Sequence, residues 1–559
     1  MNSTRKKRIL MTNEAHFLFS GYSKYGFEVL SRLADTGKYD IAELASYGKI
    51  NDIRDINANW MYYPNAVDER SPLYPAYKSN PQNEFGRWRF ERTCLDFKPD
   101  FVFDIRDPYV NTFLSMSPLR PFYHLVLMPT VDSAPQNDTW LSDFIDADGI
   151  MTYSQYGTDV LKKECGGMAN IIGSASPGVD HTVFKPVQNR AYHRKRMGFM
   201  NNCNIVGTIM RNQPRKLYPD IMEAFRKFID LCYETDNKAI ADSTYLYLHC
   251  SYPDDGWEIP DLLREYGLGR KTLFTYICDH CKHVFCSFFR DAKAVCSNCN
   301  HVTATLPNVS KGVTPEQLSL ILNTFDLYVQ YSVCEGFGMP MVEAAGCGVP
   351  IMAVNYSAME DVLKKTNGIP LKVERFFWDQ GTGSQRALPN NAACASDMLN
   401  FFKKPEALKR KMGLTARKAV EQHYTWDNTA KIWEDYFDNT QLSGLQGQWD
   451  APLLPCGEPP QLEGAIKLDN QQFVDWLFTN VIRDTSKLNS KMALKYLAQL
   501  NTGFRRKGDK MITINKKSLY SEFCNWAMNK RDCEFARKGR IELEPMEFIK
   551  YAHLRKEYL

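Results

Sequence analysis

Short apolar runs of strand length alternate with amphipathic helical stretches along most of the chain, and this alternation restricts the fold more than any other feature. The first run, RILMT at 8–12, precedes Gly21 and Gly26, which bracket a predicted turn before the helical stretch GFEVLSRLADTGKYD. Further strands are predicted at 99–105, 122–128, 149–153 and 170–173. Strands separated by helices predict an α/β domain with a parallel sheet, and the strand, glycine loop and helix at its start are typical of a Rossmann-type fold.

The pattern starts again after residue 190 with the strand CNIVGTIM, the loop RNQPRK and a helix. Later strands are predicted at 244–249, 272–277, 326–331 and 350–354, and the last helices between 405 and 438. A chain of 559 residues exceeds the roughly 100–200 residues of one domain. We therefore predict two Rossmann-like domains of similar size, at 1–188 and 189–440.

The end of the chain differs in composition from these two domains. Residues 441–465 are rich in Gly, Pro and Gln and predict a linker, and residues 466–559 predict a basic, mainly helical accessory module. From Lys467 onward there are 19 lysines and arginines against 11 acidic residues, a net charge of +8, whereas the whole chain carries +4. This asymmetry favours a module that contacts a polyanion, with an ordinary solvated face as the alternative.

The N-terminus, MNSTRKKRILMTNEAHFLF, contains an apolar run of only three residues, Ile9 to Met11. That run is too short for a signal peptide, and no stretch approaches the ~18 apolar residues of a membrane span. We predict a cytoplasmic protein without a transmembrane segment. Its 16 cysteines are then expected to be reduced thiols or metal ligands.

Two CxxC pairs stand close together in the second α/β domain. Cys278 and Cys281 form one pair, and Cys296 and Cys299 form the other after a spacer of fourteen residues. Four thiolates so spaced can occupy the corners of a tetrahedron, as a structural zinc ion requires, and leave no open position for catalysis. We predict a zinc ribbon at 276–303, with four unligated cysteines as the alternative. Spare donors that leave the ligand set open are Cys286, His280, His283 and His301.

The stretch CEGFGMPMVE, from Cys334 to Glu343, places two carboxylates eight positions apart around a Gly-Phe-Gly turn. It follows an apolar strand and precedes a predicted helix that opens near Pro340. Ligands of α/β domains bind at the carboxyl ends of the strands, where loops and helix N-termini present N–H groups. Glu335 is therefore expected in the loop, with Glu343 about two helical turns further on the same side of a ligand site.

These residues resemble the retaining nucleotide-sugar glycosyltransferases of the GT-B fold, glycosyltransferase family 4 in particular. The E-x7-E motif of that family corresponds to Glu335 and Glu343, and GFGMPMVEAAGCGVP matches its surroundings closely. The resemblance implies two Rossmann-like domains that face each other across a cleft, the first binding the acceptor and the second the nucleotide-sugar donor. It also implies that Glu335 contacts the hydroxyls of the donor sugar and Glu343 those of the nucleotide ribose. Donor-binding residues implied with them are Gly21, Gly336, Phe337, Gly338 and Met339.

A second match lies at GTIMRNQPRK, where the family carries an arginine and a lysine that bind the donor diphosphate. Arg211 and Lys216 take these roles, with Arg215 as a substitute and a solvated basic loop as the alternative interpretation. Cations at the end of a strand suit the charge that develops on a departing diphosphate. Many members also place a histidine of the first domain near the sugar, and here we predict Asp132 in that position. The run ASPGVD also departs from the usual PHGVD of the family.

The resemblance covers roughly residues 8–438. It implies retention of anomeric configuration and a nucleotide-sugar donor, most simply a UDP-sugar. No Asp-x-Asp motif stands where it would bind a diphosphate, so we expect no catalytic divalent metal.

The donor motifs do not identify the acceptor. The basic module, with aromatic residues among its charges, together with the zinc ribbon favours a hydroxymethylated base in DNA, as in an enzyme of bacteriophage type that acts in the host cytoplasm. The alternatives are a lipid-linked or cell-surface glycan, a module that serves only oligomerisation, and an inactive nucleotide-sugar or nucleic-acid binding scaffold. The oligomeric state is left open.

Overall fold

The computed structural model describes residues 5–449 apart from 51, 53, 55–57, 118, 200, 201, 309, 310 and 445, and two short strands at 465–468 and 512–515. The chain divides into two compact units. The first comprises Met1–Met128, Asp143–Ile150 and Tyr436–Leu559, and the second comprises Pro129–Ser142 and Met151–Asp435. The domain boundaries at 188 and 440 stay predictions, as does the linker at 441–465.

Elements up to residue 174 are, in chain order, β1 (Lys7–Glu14), α1 (Gly21–Asp35), β2 (Tyr39–Ser46), β3 (Met61–Pro64), α2 (Tyr74–Lys78), α3 (Phe90–Phe97), β4 (Phe101–Arg106), α4 (Thr112–Met116), β5 (His124–Pro129), α5 (Asp138–Asp146), β6 (Gly149–Thr152), α6 (Gln155–Glu164) and β7 (Ile171–Ser174). Short 3-10 turns occupy Pro81–Asn83, Pro108–Val110 and Arg120–Phe122.

The sheet of the first unit has the strand order β3-β2-β1-β4-β5-β6. Its central strand β1 runs parallel to both β2 and β4, and four consecutive residues of β1, from Ile9 to Thr12, are at most 1% exposed. A strand covered on both faces by helices has to be apolar along its length, which explains the run RILMT. The α/β class with a parallel sheet, predicted from the alternation of strands and helices, is confirmed.

The turn predicted between Gly21 and Gly26 is wrong. Gly21 is the first residue of helix α1, which Ser20 caps by accepting a hydrogen bond from the backbone N–H of Ser23. Gly26 lies inside that helix, where an added Cβ would stand 2.4 Å from the side-chain nitrogen of Asn13. Glycine at this position therefore allows helix α1 to pack closely against strand β1. A turn and a close approach both select glycine, so the sequence alone does not distinguish them.

Elements from residue 190 to 330 are α7 (Arg190–Met197), β8 (Asn204–Ile209), α8 (Tyr218–Glu234), α9 (Lys238–Ser243), β9 (Thr244–His249), α10 (Ile259–Glu265), β10 (Thr272–Cys278), β11 (Val284–Phe288), β12 (Ala294–Val295), β13 (Val302–Thr305), α11 (Pro315–Leu322) and β14 (Leu327–Gln330). The remaining elements are α12 (Met339–Gly346), β15 (Ile351–Val354), α13 (Ala358–Thr366), β16 (Ile369–Leu371), β17 (Val373–Asp379), β18 (Ser384–Pro389), α14 (Asn391–Phe402), α15 (Glu406–His423), α16 (Trp426–Asn439), β19 (Ala465–Leu468) and β20 (Ile512–Asn515).

The sheet of the second unit contains the parallel order β10-β9-β8-β14-β15-β16, so its strand order repeats that of the first sheet. Strands β11 and β13 both pair antiparallel with β10, and β12 continues from β13. The inserted cysteine segment is thus an extension of the sheet edge. One apolar cluster of buried residues runs from Val206 on β8 to Phe402 at the end of α14, including Phe225 and Phe228 of helix α8.

Neither of the two antiparallel pairs outside the main sheets was predicted, and strands β2, β3 and β16 within those sheets were missed as well. Strands β17 and β18 form an antiparallel hairpin next to the main sheet, and β19 pairs antiparallel with β20 in the segment that was predicted as a mainly helical module. The helices predicted for that module lie outside the described residues. Both pairs combine segments without a strong period-two pattern, or segments distant in sequence, so local reasoning had little signal for them.

The packing of helix α15 makes a testable prediction. Alanine usually stabilises a helix by about 1 kcal/mol relative to glycine. At Gly413, however, a Cβ would stand 1.9 Å from the carbonyl oxygen of Gly348. We expect Gly413→Ala to lower the free energy of unfolding by about 1–3 kcal/mol in chemical denaturation. Gly269→Ala is the control, because nothing lies within 4 Å of its added Cβ. Equal stability of the two variants would contradict this packing.

Candidate active site

The loops that follow β8 and β14 meet at the carboxyl edge of the second sheet. These two strands are neighbours, and the connections that leave them lead to opposite halves of the sheet, β9 on one side and β15 on the other. A crevice opens at such a switch point in doubly wound sheets. The backbone N–H groups of Leu217 and Val333 donate to the carbonyls of Tyr331 and Arg215, both at 3.1 Å, so the two loops are tied together.

Glu335 lies at the centre of this junction and is only 6% exposed. Its Oε1 accepts hydrogen bonds from Ser332 Oγ at 2.6 Å, from Gln330 Nε2 at 2.7 Å, and from the ammonium of Lys216. Its Oε2 accepts from Arg215 Nη1 at 3.1 Å. A buried carboxylate requires such partners, because an unpaired charge out of water is strongly unfavourable.

The electrostatics of this cluster follow from burial and pairing. Burial raises the pKa of Glu335, but the Lys216 and Arg215 cations outweigh it and hold that pKa at about 2. Burial lowers the pKa of Lys216 to about 8, and the attraction of Glu335 only partly offsets this effect. Lys216 is therefore a cation at neutral pH, but one that is deprotonated far more easily than a lysine in water.

The Gly-Phe-Gly turn shapes the backbone beside Glu335. A Cβ on Gly336 would stand 2.6 Å from the methyl of Thr130, and Gly338 caps helix α12 with a φ of 89°, so both positions favour glycine. The Phe337 ring is buried and contacts Tyr424 edge to face. Met339 begins α12, as predicted for a helix opening near residue 340.

Glu343, the second acid of the motif, is 5% exposed in the middle of α12. The structure therefore buries both carboxylates of CEGFGMPMVE on neighbouring elements of the second unit. The role of Glu343 toward a nucleotide ribose stays a prediction.

The predicted cation pair is divided in the structure. Lys216 joins Glu335, whereas Arg211 donates from Nε and Nη2 to the Asp254 carboxylate, both at 2.9 Å, and lowers the pKa of that acid to about 2. The second cation beside Glu335 is Arg215, the substitute that the sequence had suggested. Both arginines are about half exposed, with 47% for the Arg211 side chain and 46% for that of Arg215.

Asp132 has a partner that the sequence analysis missed, Arg386 of strand β18. Arg386 Nη1 donates to Asp132 Oδ2 at 2.8 Å and also contacts Cys334 Sγ. Burial and the Asp132 carboxylate raise the pKa of the Cys334 thiol, which donates to Asp132 at 3.1 Å. The buried Nε of Arg386 finds no hydrogen-bond partner among the described residues. Asp132 is thereby fixed beside the residue that precedes Glu335.

Gly21 lies in the first unit, at the first position of α1. Ser20 before it donates from its hydroxyl to Glu14 at the end of β1. The assignment of Gly21 to donor binding stays a prediction.

The two CxxC segments form matching turns. The N–H of Lys282 donates to the Cys278 carbonyl and the N–H of Asn300 to that of Cys296, both at 3.0 Å. Lys282 and Asn300 both have a left-handed backbone, with φ of 57° and 58°. The cysteine segment is thus built from two turns of the same geometry, one between β10 and β11 and one between β12 and β13.

These turns bring the four thiols together. The sulfurs of Cys278, Cys281, Cys296 and Cys299 all lie within 4.8 Å of one another, and two of the pairs are 3.6 Å apart. A tetrahedral zinc ion with Zn–S bonds of about 2.3 Å requires S···S separations of about 3.8 Å. The donor set therefore fits zinc. His280, Cys299 and His301 also lie within metal-binding reach of one another, whereas Cys286 is buried on β11 and belongs to neither group.

Residues 308–376 match the family described as "Glycosyl transferases group 1". The match includes Glu335, the Gly-Phe-Gly turn and Glu343. Over this segment the chain is similar to that family. The predicted enzyme class, a glycosyltransferase, is confirmed by this match, and the matched segment includes the β14 loop and helix α12.

The resemblance to solved structures extends over most of the chain, well beyond residues 308–376. A sucrose-phosphate synthase from Thermosynechococcus elongatus aligns with a TM-score of 0.57 at 15% identity, and Anabaena Alr3699/HepE in complex with UDP and glucose with 0.52 at 13%. A UDP-forming α,α-trehalose-phosphate synthase from Burkholderia vietnamiensis aligns with 0.51 at 10%. Each alignment covers 78% of this chain and 100% of the other. At these identities the likeness establishes the fold, and the predicted GT-B architecture is confirmed.

A comparison with curated protein sequences finds no match. None of the described helices combines the length and the apolar character that are required to cross a bilayer.

The lowered pKa of Lys216 predicts how anion binding depends on pH. Lys216 is charged below its pKa of about 8 and neutral above it, so affinity for inorganic pyrophosphate should fall as the pH rises through 8. We expect Lys216→Arg to move this fall beyond pH 10, because a guanidinium stays protonated. Titration calorimetry between pH 6 and 10 measures both proteins. The same pH dependence in both would exclude Lys216 as its source.

The cysteine cluster predicts one bound zinc ion per chain. We expect Cys296→Ser to lose the zinc and to lower the melting temperature, because the site couples metal binding to folding. Cys286→Ser removes a thiol that is also buried but lies outside the four-sulfur group, and it should retain the metal. Zinc content by atomic emission and thermal unfolding give the two readouts. Equal zinc content in the two variants would contradict the assignment.

Proposed function

We propose that the protein is a retaining glycosyltransferase, similar to family 4, which transfers a sugar from a UDP-sugar to a hydroxyl group of an acceptor. The observation that carries the proposal is the cluster of Glu335 with Lys216 and Arg215 at the switch point of the second sheet, within and beside the segment that matches the group 1 family. The site thus offers two cations for a diphosphate and one acid for sugar hydroxyls.

The donor assignment draws on two supports. Cations at the carboxyl ends of strands suit the diphosphate of a nucleotide sugar, since they stabilise the negative charge of the leaving group. HepE of Anabaena, which shares the fold, has been solved with UDP-glucose. In our proposal Lys216 and Arg215 bind the diphosphate, Glu335 accepts hydrogen bonds from the sugar, and Glu343 contacts the ribose.

The reaction exchanges one bond at the anomeric carbon for another. The bond from C1 to the β-phosphate oxygen breaks, and its electron pair leaves with the diphosphate beside Lys216 and Arg215. The acceptor oxygen bonds to C1 on the same face, and its proton passes to the departing phosphate. Asp132, held by Arg386 next to the Cys334–Glu335 segment, is placed in this proposal near the reacting sugar. Arg211 serves the diphosphate only if it leaves Asp254.

For the acceptor we propose a hydroxymethylated base in DNA, in an enzyme of bacteriophage type that acts in the host cytoplasm. The charge of +8 after residue 466 supports a polyanionic partner. A cavity of about 290 Å³ between α7 and the cysteine ribbon gives further support. Its described lining residues include Arg196 and Lys282 and no carboxylate. We propose that the ribbon is held by a structural zinc ion and that this basic side meets phosphates.

The donor role of Glu335 is tested by Glu335→Gln, which keeps the shape of the side chain and removes its charge. We expect kcat/KM to fall about 100- to 1,000-fold, because the variant leaves Lys216 without its counter-charge and weakens the contact with the sugar. Glu360→Gln changes a surface acid of an i,i+4 pair with Lys364 and should act like the unchanged protein. Near-normal turnover of Glu335→Gln would contradict the assignment of Glu335 to the donor site.

The acceptor is identified by transfer of label from radioactive UDP-sugars to three substrates in parallel. These are DNA with 5-hydroxymethylpyrimidines, unmodified DNA and a lipid extract. We expect label on the hydroxymethylated DNA alone. Label in the lipid fraction alone would replace the DNA acceptor with a glycan and would leave the donor chemistry intact.

A further inference from the structure

Arg386 on strand β18 lies between two loops of the candidate active site. The N–H of Gln385 donates to the Ala134 carbonyl at 2.9 Å, and that of Ala387 donates to the Val333 carbonyl at 3.0 Å. The residues before and after Arg386 are thus bonded to the loop after β5 and to the loop after β14. These two bonds fix the backbone of Arg386 between the loops.

The Arg386 side chain joins three segments of the second unit. Its Nη1 donates to Asp132 Oδ2 at 2.8 Å and contacts Cys334 Sγ, and its Nη2 donates to Thr382 Oγ1 at 3.2 Å. Asp379, which accepts from Thr382 Oγ1 at 2.9 Å, is a second acid that acts on this cation. The Arg386 side chain is only 9% exposed, so it depends on these protein partners for its charge to be tolerated.

Asp132 is held in one orientation as a hydrogen-bond acceptor. Its Oδ2 accepts from Arg386 and from the Cys334 thiol at 3.1 Å, and its Oδ1 accepts from Ser133 Oγ at 2.8 Å. Ser133 in turn shares a hydrogen bond of 2.9 Å with Ser384 on β18. The Asp132 side chain is nevertheless 25% exposed. Since a carboxylate offers about four acceptor positions, Asp132 can accept a further hydrogen bond from a ligand.

The loop of Asp132 and the loop of Glu335 are in contact at two points. The Cys334 thiol that donates to Asp132 belongs to the residue directly before Glu335. On the other side of Glu335, a Cβ on Gly336 would stand 2.6 Å from the methyl of Thr130. The two carboxylates are therefore carried by loops that pack against each other.

A sugar bound beside these loops meets acceptors and no available cation. In the proposed function the diphosphate takes Lys216 and Arg215, and the Arg386 guanidinium is buried against protein groups. Asp132 and Glu335 accept hydrogen bonds and cannot donate them. A neutral sugar supplies the required donors through its hydroxyls, whereas the carboxylate of an acidic sugar would stand near two like charges.

We infer that Asp132, positioned by Arg386, is a specificity-determining residue that selects neutral donor sugars over sugars that carry a carboxylate. This inference rests on the donor site of the proposed function. Asp132 accepts a hydrogen bond from a sugar hydroxyl, and its negative charge disfavours a uronic acid. Arg386 is a positioning residue, because it acts on the sugar only through Asp132.

The test measures the affinities of UDP and of two matched pairs of UDP-sugars by titration calorimetry near neutral pH. The pairs are UDP-glucose with UDP-glucuronate and UDP-galactose with UDP-galacturonate, in which a carboxylate replaces the hydroxymethyl group of the sugar. We expect the neutral sugar of at least one pair to bind about tenfold more tightly than its acidic partner. UDP alone reports on the donor site without the sugar.

Two variants separate the charge of Asp132 from its orientation. We expect Asp132→Asn to reduce the preference for the neutral sugar about tenfold, because it removes one of the two negative charges. Arg386→Met should weaken binding of the neutral sugar roughly tenfold, without improving that of the acidic sugar or changing that of UDP, because Asp132 is no longer fixed. Arg386→Lys keeps the ion pair and should restore most of the affinity.

Asp230→Asn is the matched control, because Asp230 is an exposed acid in an i,i+4 pair with Arg226 and its loss should leave the preference unchanged. Thermal unfolding verifies that each variant is folded. Equal effects of Asp132→Asn and Asp230→Asn on the preference would overturn the inference.

The outcomes distinguish this inference from the proposed function. If UDP binds but the neutral and acidic sugars of both pairs bind equally well, or an acidic sugar binds more tightly, the specificity is wrong and the donor site stands. If Asp132→Asn weakens both members of a pair by the same factor, Asp132 has a structural role only. If Arg386→Met leaves the affinity for the neutral sugar unchanged, Arg386 is not a positioning residue. If UDP does not bind, the proposed donor is wrong and the inference is wrong with it.

Discussion

The second unit is organised around one buried carboxylate. Glu335 is almost fully removed from water, and it stays ionised because Lys216 and Arg215 approach it from a loop more than a hundred residues earlier in the chain. Loss of either cation would leave charge in a poorly solvated place, which is costly in free energy. The ion cluster therefore holds together the loops after β8 and β14, where a doubly wound sheet opens its crevice.

The same cluster gives the proposed chemistry a starting arrangement. Without a ligand, Glu335 offsets one of the two positive charges of Lys216 and Arg215, so a net charge of about +1 is left at the cluster. In the proposed reaction, an incoming diphosphate competes for the same cations and frees the carboxylate to accept hydrogen bonds from sugar hydroxyls. Since the groups are already positioned, little reorganisation is required when charge develops on the leaving group. The low pKa of Lys216 makes this balance sensitive to pH in the range just above neutrality.

The sequence predicts the α/β class and the region of the donor cluster for a physical reason. Apolar strands, glycine turns and helix starts are local, and the switch point brings the ends of two such strands together wherever the strand order is doubly wound. The position of Glu335 follows from that rule, whereas Lys216 was predicted from the resemblance of GTIMRNQPRK to the family. The sequence does not predict that Arg215, and not Arg211, pairs with Glu335. That outcome depends on Asp254, an acid in the loop after β9 that binds Arg211 and that no local pattern connects with it. Gly26 was wrongly predicted to end a turn, because a glycine required for close packing inside a helix looks the same in the sequence as a glycine required by a turn.

Arg386 and the hairpin show where local reasoning ends. Arg386 stands in a short strand with no motif around it, yet its guanidinium joins Asp132 to Cys334. The groups that we propose for donor binding lie in loops whose positions are set by the sheet, so the ends of the predicted strands indicate where they are. The groups beside Asp132 come from a hairpin outside the parallel sheet, and their position depends on the hydrogen bonds of Gln385 and Ala387. The exposed face of this hairpin can vary while Glu335 keeps its own partners, so the proposed donor cluster is compatible with different acceptors.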